Sequence, residues 1–403
     1  MDYKYMARIP NPEGLKELGV FGKGLLLNHD INNWKFNRQF FVQSVSTLNF
    51  LKESVNCTQM VFNEMEEYWR FGLEDDNITD FSEWSHSLTT DIIFQMITGK
   101  KTWATASYFL AISRGSKLER LQKFDEKLIK ESSKLSKAFQ MFIMGMDFFT
   151  FFPQWVRSCV PTFRASQKEI LEAPNTDRTI SDIKDINQEY TEPLTDEEIR
   201  GILIEALAGG VDTTANVFSF TIYYLAHYPD IKDRLRQEID NIFSQKENRS
   251  LTYDDLSSLV YCEAVIKEVS RVMATAPFIT RFNSEPDSIE NIEWGTNTRF
   301  LIFAPGVHLN KDYWDVPEKF DVDRFIDEKK QQNGKNLLLM WGGGLRQCPG
   351  RRLAMVELKC LIVSVFRNWD IELVDMNSPL KCETSIVRSA KDLKVKIKPR
   401  KVM

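Results

Sequence analysis

The sequence predicts a mostly α-helical fold with small β-sheets, and three observations carry that expectation. Apolar residues recur at helical spacing through roughly the first two thirds of the chain. Strand-like stretches fall in the last third, in FITRF (278–282), NTRFLIF (297–303), WDIELV (369–374) and LKVKIK (393–398). No internal repeat, low-complexity segment or linker composition interrupts the 403 residues, so a single domain over 1–403 is expected.

The periodicity places helices at 32–45, 49–72, 80–98, 120–146, 153–172, 196–228, 230–245, 259–274 and 350–367. The polar stretch PNTDRTISDIKDINQEYTEPL, 174–194, reads as a loop. The best-defined helix opens at LTDEE. Thr195 as N-cap and Glu198 three residues on make a capping box, with Leu194 as the staple residue in front. Pro229, in HYP, marks its end.

Composition excludes several function classes. Net charge is −5 and the basic residues are dispersed, so nothing points to nucleic acid. The six cysteines form no CxxC pair, which argues against a zinc ribbon or a dense disulfide framework and for a reducing compartment. Cys57, Cys159, Cys262, Cys360 and Cys382 read as ordinary thiols. No run of eighteen apolar residues occurs, so no transmembrane helix is expected. MFIMGMDFFTFFPQWV, 141–156, is interrupted by Asp147 and Pro153; it suits peripheral membrane contact. The 28 Phe fit a large apolar interior or a cavity for apolar ligands. The four histidines show no metal-ligand spacing, and His308 reads as structural.

Two stretches break local rules. The long helix carries EALAGGVDTTANVF in its middle. Gly209 and Gly210 each cost about 1 kcal/mol against alanine there, and Asp212 puts a charge among Leu203, Leu207, Val217 and Phe218. One reading is a glycine notch for another helix, with Asp212 at a solvated edge. The other is a backbone that opens to admit a bulky flat ligand, with Asp212 and Thr213 facing it as a proton path. The second stretch is WGGGLRQCPG, 341–350. Its glycines allow close backbone approach, and a long apolar helix follows Cys348. A sulfur near a helix N-terminus, with Arg346 two residues before it, favours thiolate. A single thiolate ligand on a rigid loop fits this better than a structural cysteine in a glycine turn.

WGGGLRQCPG resembles the haem-binding signature of the cytochrome P450 family at Trp341, Gly344, Arg346, Cys348 and Gly350; Trp341 stands where the family more often has Phe. GGVDTT (209–214) is similar to the family's oxygen-activation motif. Glu268 and Arg271 of EVSR resemble its ExxR pair, and PEKFDVDRF (317–325) supplies Arg324 as the second arginine. WKFNR (34–38) resembles its WxxxR helix, and ITRF puts Arg281 where a propionate partner often stands. The resemblance runs from about residue 19 to about 400.

It implies haem b with Cys348 as axial ligand of the iron, and Trp34, Arg38, Arg281 and Arg346 on the propionates. Gly209 and Gly210 would give oxygen room, Asp212 and Thr213 would deliver protons, and Glu268, Arg271 and Arg324 would form a structural triad. The implied reaction inserts one oxygen atom from O2 into a hydrophobic organic substrate, with electrons from a flavoprotein reductase. The reductase is expected at a basic face made by Lys35, Arg351, Arg352 and Lys359. A peroxygenase or isomerase on the same fold, or a shortened non-catalytic product, stays open. The implied location is cytoplasmic or the cytoplasmic face of a membrane. Trp34 follows only 33 residues of chain, too few for the family's N-terminal sheet. The strands at 278–303 are therefore expected to lack partners, and the chain to be less stable than a complete member.

Overall fold

The computed structural model describes residues 22–72, 78–113, 194–243, 249–327 and 337–401, with isolated residues between them. The expected helices 120–146 and 153–172, the loop 174–194 and the membrane-contact stretch 141–156 lie outside the described residues. Helix α1 (Ile31–Val45) is capped by Asp30, whose side chain accepts from the N–H of Asn32 and Asn33. Next come α2 (Leu48–Gly72), strand β1 (Ile78–Asp80) and α3 (Phe81–Thr98), which ends on the left-handed Gly99. Helix α4 (Ala104–Ile112) was not expected from the sequence. Its own N-cap residue, Trp103, gives it no side-chain hydrogen bond. The cap comes from Asp91 of α3, which accepts from the N–H of Ala104 at 2.7 Å and of Thr105 at 2.9 Å.

The long helix α5 (Asp196–His227) begins with the expected capping box. Its backbone does not open at Gly209 and Gly210; the helix runs unbroken through both. Gly210 is the notch: a Cβ there would meet Ile93 of α3 at 3.2 Å. Ser85 and Thr89 of α3 donate to the Ala215 and Val211 carbonyls of α5 at 2.7 and 3.3 Å, so the two helices touch through backbone as well as side chains. Helices α6 (Pro229–Ile242) and α7 (Val260–Val272) follow.

Two hairpin ribbons come next. Strand β2 (Phe278–Phe282) pairs antiparallel with β5 (Arg299–Phe303), Phe278 opposite Phe303 and Phe282 opposite Arg299. Between them β3 (Asp287–Ile289) pairs with β4 (Ile292–Trp294). These strands thus pair with one another, and among the described residues neither ribbon takes a partner strand from another part of the chain. Their apolar faces are open, with Phe278, Leu301, Ile302 and Phe303 exposed.

The short α8 (Ala304–His308) leads to the cysteine loop and α9 (Arg351–Asn368). The chain closes with β6 (Trp369–Leu373), β7 (Lys381–Thr384), β8 (Arg388–Lys391) and β9 (Lys394–Pro399). Strand β9 lies between β1 and β6, so the first and last strands share one sheet. One core joins α2, α3, α5, α7 and α9, with Phe62, Trp84, Phe109, Phe218, Leu361 and Phe366 among its buried side chains. Among the described residues no helix is long and apolar enough to cross a membrane.

Candidate haem-thiolate site

Cys348 sits on a turn shaped by two left-handed glycines, Gly342 (φ 68°) and Gly344 (φ 65°). The turn closes on itself: the Cys348 N–H donates to the Trp341 carbonyl at 2.9 Å. Gly350 is the N-cap of α9 and brings no side-chain cap of its own. The sulfur thus lies at the positive end of an apolar helix. Cβ atoms built at Gly342, Gly343, Gly344 or Gly350 would meet nothing within 4 Å, and the same holds at Gly209 of α5.

Two guanidinium groups, those of Arg38 and Arg346, sit at this turn, and Arg281 is near enough for its charge to act on Arg346. Arg38 of α1 donates to the Gln347 carbonyl at 2.6 Å. Burial lowers its pKa, and the charge on Cys348 works against that shift. Arg346 is 4% exposed and has its pKa lowered to about 10, first by burial and then by Arg281; Arg38 adds to this and Glu205 opposes it. Arg281 of β2 is lowered by burial and donates to the Thr280 carbonyl at 2.8 Å. Such crowding of like charges in a half-buried place is costly unless anions share it. A thiolate and the two carboxylates of haem b are anions of the right kind, so these residues fit the group.

Trp34 is in this cluster with a different job from the one expected. Its indole N–H donates to the Leu25 carbonyl at 3.0 Å, so it does not offer that hydrogen to a cofactor. Its ring carries Arg346 at 4.4 Å and Arg38 at 5.4 Å from the centroid, a cation–π stack that fixes both guanidiniums.

The acid and alcohol of α5 are brought close but turned apart. The Thr213 hydroxyl is exposed and donates to the Gly209 carbonyl at 2.5 Å, one turn back. Asp212 turns to α3 and meets His86 Nε2 at 2.6 Å, both side chains partly exposed. His86 was not singled out in the sequence, because its pairing depends on how α3 lies on α5.

The triad is assembled. Arg271 holds Glu268 with two bonds of 2.8 Å, both side chains fully buried. Arg324 completes it at 3.6 Å. Arg271 also gathers the carbonyls of His308, Pro317 and Lys319, and Glu268 accepts from the Asp321 N–H. His308 then ties the triad to the cysteine loop, since its Nε2 accepts from the Leu339 N–H at 2.8 Å. That fixes the proton on Nδ1, which lies 3.2 Å from the Arg271 carbonyl. His308 is structural, as expected.

The basic face differs from expectation at Lys359. It is buried, pairing with Glu263 at 2.6 Å and donating to the Leu256 carbonyl. Lys35, Arg351 and Arg352 are exposed.

A cysteine ligand backed by a triad-held loop and ringed by arginines, on this helical fold, is the design of a haem-thiolate protein. A family model for Cytochrome P450 matches residues 2–397, and the chain belongs to that family. Cytochrome P450 4F8 of Homo sapiens is 30% identical over 210 residues, 51% of this chain and 40% of that protein. Cytochrome P450 3A18 of Rattus norvegicus is 31% identical over 195 residues, 48% of this chain and 39% of that protein. The chain therefore aligns with about two fifths of the length of these relatives. The crystal structure of a mutant cytochrome P450DA heme domain matches with a TM-score of 0.78 and 19% identity, covering 99% of this chain and 84% of that one. That likeness establishes the fold.

Proposed function

We propose that this chain is the core of a haem-thiolate monooxygenase, which inserts one oxygen atom from O2 into an apolar substrate with electrons from a separate reductase. The observation that carries the reading is the placing of Arg38 and Arg346 on the Trp34 ring beside the Cys348 turn, with the charge of Arg281 close enough to act on Arg346. When bound, the haem supplies the activation of O2. The protein's own residues do the rest. Cys348 is the ligand, and the dipole of α9 and the nearby guanidiniums keep it as thiolate. Arg38, Arg281 and Arg346 hold the carboxylates, with Trp34 as their floor. Gly209 leaves space at α5 that a side chain would fill.

Proton supply falls to His86, Asp212 and Thr213. His86 Nε2 and Asp212 Oδ1 lie 2.6 Å apart, within hydrogen-bond reach, and both groups reach solvent. The Thr213 hydroxyl, its hydrogen on the Gly209 carbonyl, keeps its oxygen lone pairs for a donor on its exposed side. The choice of an apolar substrate rests on the aromatic composition. Entry of the reductase at Lys35, Arg351 and Arg352 rests on their exposure and charge.

The absorption spectrum of the reduced, carbon-monoxide-bound protein tests the proposal. The wild type should show the thiolate-type band and Cys348→Ala should lose it, whereas Cys57→Ala and Cys382→Ala should keep it. A thiolate-type band in Cys348→Ala would overturn the assignment. Turnover with peroxide alone, and none with O2 and a reductase, would replace monooxygenase by peroxygenase.

A further inference from the structure

The segment before α1, residues 22–28, has no regular secondary structure, yet it is tied down along its length. Glu205, 6% exposed on α5, accepts from three consecutive backbone N–H groups, those of Leu25, Leu26 and Leu27. Three peptide donors converging on one carboxylate form a backbone nest, a strong anion-holding geometry. The other side of the same segment faces the arginines. The Leu25 carbonyl accepts from Arg346 at 2.9 Å and from Trp34 at 3.0 Å, and the Asn28 carbonyl accepts a second bond from Arg346. Asn37 of α1 holds the Lys23 carbonyl at 2.6 Å.

Steric fit closes the same contact. A Cβ at Gly24 would meet the Glu205 carboxylate, and the Gly201 carbonyl at 2.7 Å. A Cβ at Gly201 would meet the Gly24 nitrogen at 2.9 Å. Two glycines from distant parts of the chain thus let this strap lie directly on α5, about two turns before Gly209. Glu205 also acts on Arg346 through its charge, opposing the repulsion from Arg281 and Arg38.

We infer that Glu205 is a positioning residue for the anion-binding end of the site: by holding the strap 22–28 through its peptide N–H groups, it sets the Leu25 and Asn28 carbonyls that aim Arg346. The inference rests on the reading that Arg346 serves a haem carboxylate. The nest itself does not depend on that reading. Without Glu205 the strap loses its anchor on α5, and Arg346 loses the fixed acceptors that orient it. Glu205→Gln keeps the shape and a carbonyl acceptor but removes the charge, so it should restore part of what Glu205→Ala loses. Gly24→Ala should reproduce the defect with Glu205 intact, because it lifts the strap instead.

The test uses the haem-loaded full chain and two readouts, amide hydrogen exchange and haem transfer to excess apomyoglobin. Val395→Ala in the distant three-stranded sheet serves as a general destabilisation control. Glu205→Ala and Gly24→Ala should each speed exchange at Leu25, Leu26 and Leu27 about tenfold and speed haem release about tenfold, with Glu205→Gln between them and wild type. Val395→Ala should leave strap exchange unchanged. The inference is overturned if strap exchange in Glu205→Ala equals wild type, or if Val395→Ala speeds haem release as much. A wild-type chain that takes up no haem, yet shows strap exchange rising in Glu205→Ala, would overturn the haem reading and keep the latch. If Glu205→Ala does not fold, Glu205→Gln and Gly24→Ala decide on the same two readouts.

Discussion

Two residues show how differently a buried or half-buried polar group can be handled. Thr213 is the group whose loss should separate electron flow from product. In Thr213→Ala the hydroxyl near the exposed face of α5 is gone while the His86–Asp212 pair stays. Reducing equivalents should be consumed at near the normal rate, with more leaving as peroxide and about tenfold less as oxygenated product. Product yield per electron equal to wild type would remove Thr213 from the mechanism. Glu357 is the opposite case. It is fully buried in α9, and neither carboxylate oxygen has a hydrogen-bond partner among the described residues. Burial pushes its pKa up to about 8 from 4.5. The folded form therefore binds a proton that the unfolded chain releases above 4.5, so stability falls as pH rises from 4.5 to 8. At pH 7 that linkage costs about 3 kcal/mol. Glu357→Met should be more stable than wild type at pH 7 by an amount of that order, and by much less at pH 5. Urea melts at the two pH values would show it, and equal gains at both would contradict it.

At the scale of elements, α5 and α3 explain why two adjacent glycines are not equivalent. Gly210 packs on Ile93, whereas a Cβ at Gly209 has open space around it. Gly209→Ala should gain about 1 kcal/mol from helix propensity alone. Gly210→Ala starts from the same gain and loses it, in part or whole, to the displaced Ile93, which is buried with Phe94, Leu207 and Val211. Thermal melts should rank Gly209→Ala above wild type and above Gly210→Ala; equal shifts would refute the notch. Activity should run the other way, with Gly209→Ala the more impaired because its methyl group enters space at the site. Helix α4 carries the same lesson about elements. Its first turn is capped by Asp91 from the neighbouring helix, so the start signal is not in its own sequence.

The whole molecule is held around its cysteine by a relay of buried charge and hydrogen bonds. Glu268, Arg271 and Arg324 lock α7 to the segment 316–324, and His308 passes that order to Leu339 just before the cysteine loop. Arg271→Ala would strip buried Glu268 of its two 2.8 Å bonds; breaking such a pair costs roughly 3–5 kcal/mol, so urea melts should show a loss of that order and haem retention should fall with it. His308 adds a pH limit. Burial lowers its pKa from 6.5 to about 4, with the Arg271 charge adding and the bond to the Arg271 carbonyl opposing. The unfolded chain takes up a proton below 6.5 that the folded one refuses. The His308 contribution is thus complete above pH 6.5 and is lost as pH falls from 6.5 to 4, by about 3 kcal/mol in all. Glu357 works in the opposite sense over the range above 4.5. In His308→Gln, whose amide can still accept from Leu339, the acid loss between pH 6.5 and 4 should be shallower than in wild type. Urea melts across that range check it, and an unchanged slope would exclude His308 as the cause.

The sequence by itself determined what is local or periodic. Helices α1, α2, α3, α5, α6, α7 and α9 were legible because their apolar residues repeat at helical spacing and because, for α5, Thr195 with Glu198 and Pro229 sit at its ends. Cys348 was legible from its glycine-rich loop, and the triad from the family resemblance, with which the placing of Glu268 and Arg271 on one helical face agrees. The short strands β1, β3, β4, β7 and β8 were not, because three or four residues carry too little alternation, and β1 finds its partner β9 across most of the chain. Tertiary structure alone decided the rest: that Asp212 turns to His86, that Trp34 supports arginines instead of donating to a cofactor, that Lys359 is buried, and that Glu205 seats the strap at Leu25. Each of these depends on a contact between residues more than eight positions apart. A side chain's partner at that range is fixed by how elements pack, and spacing along the chain does not encode it.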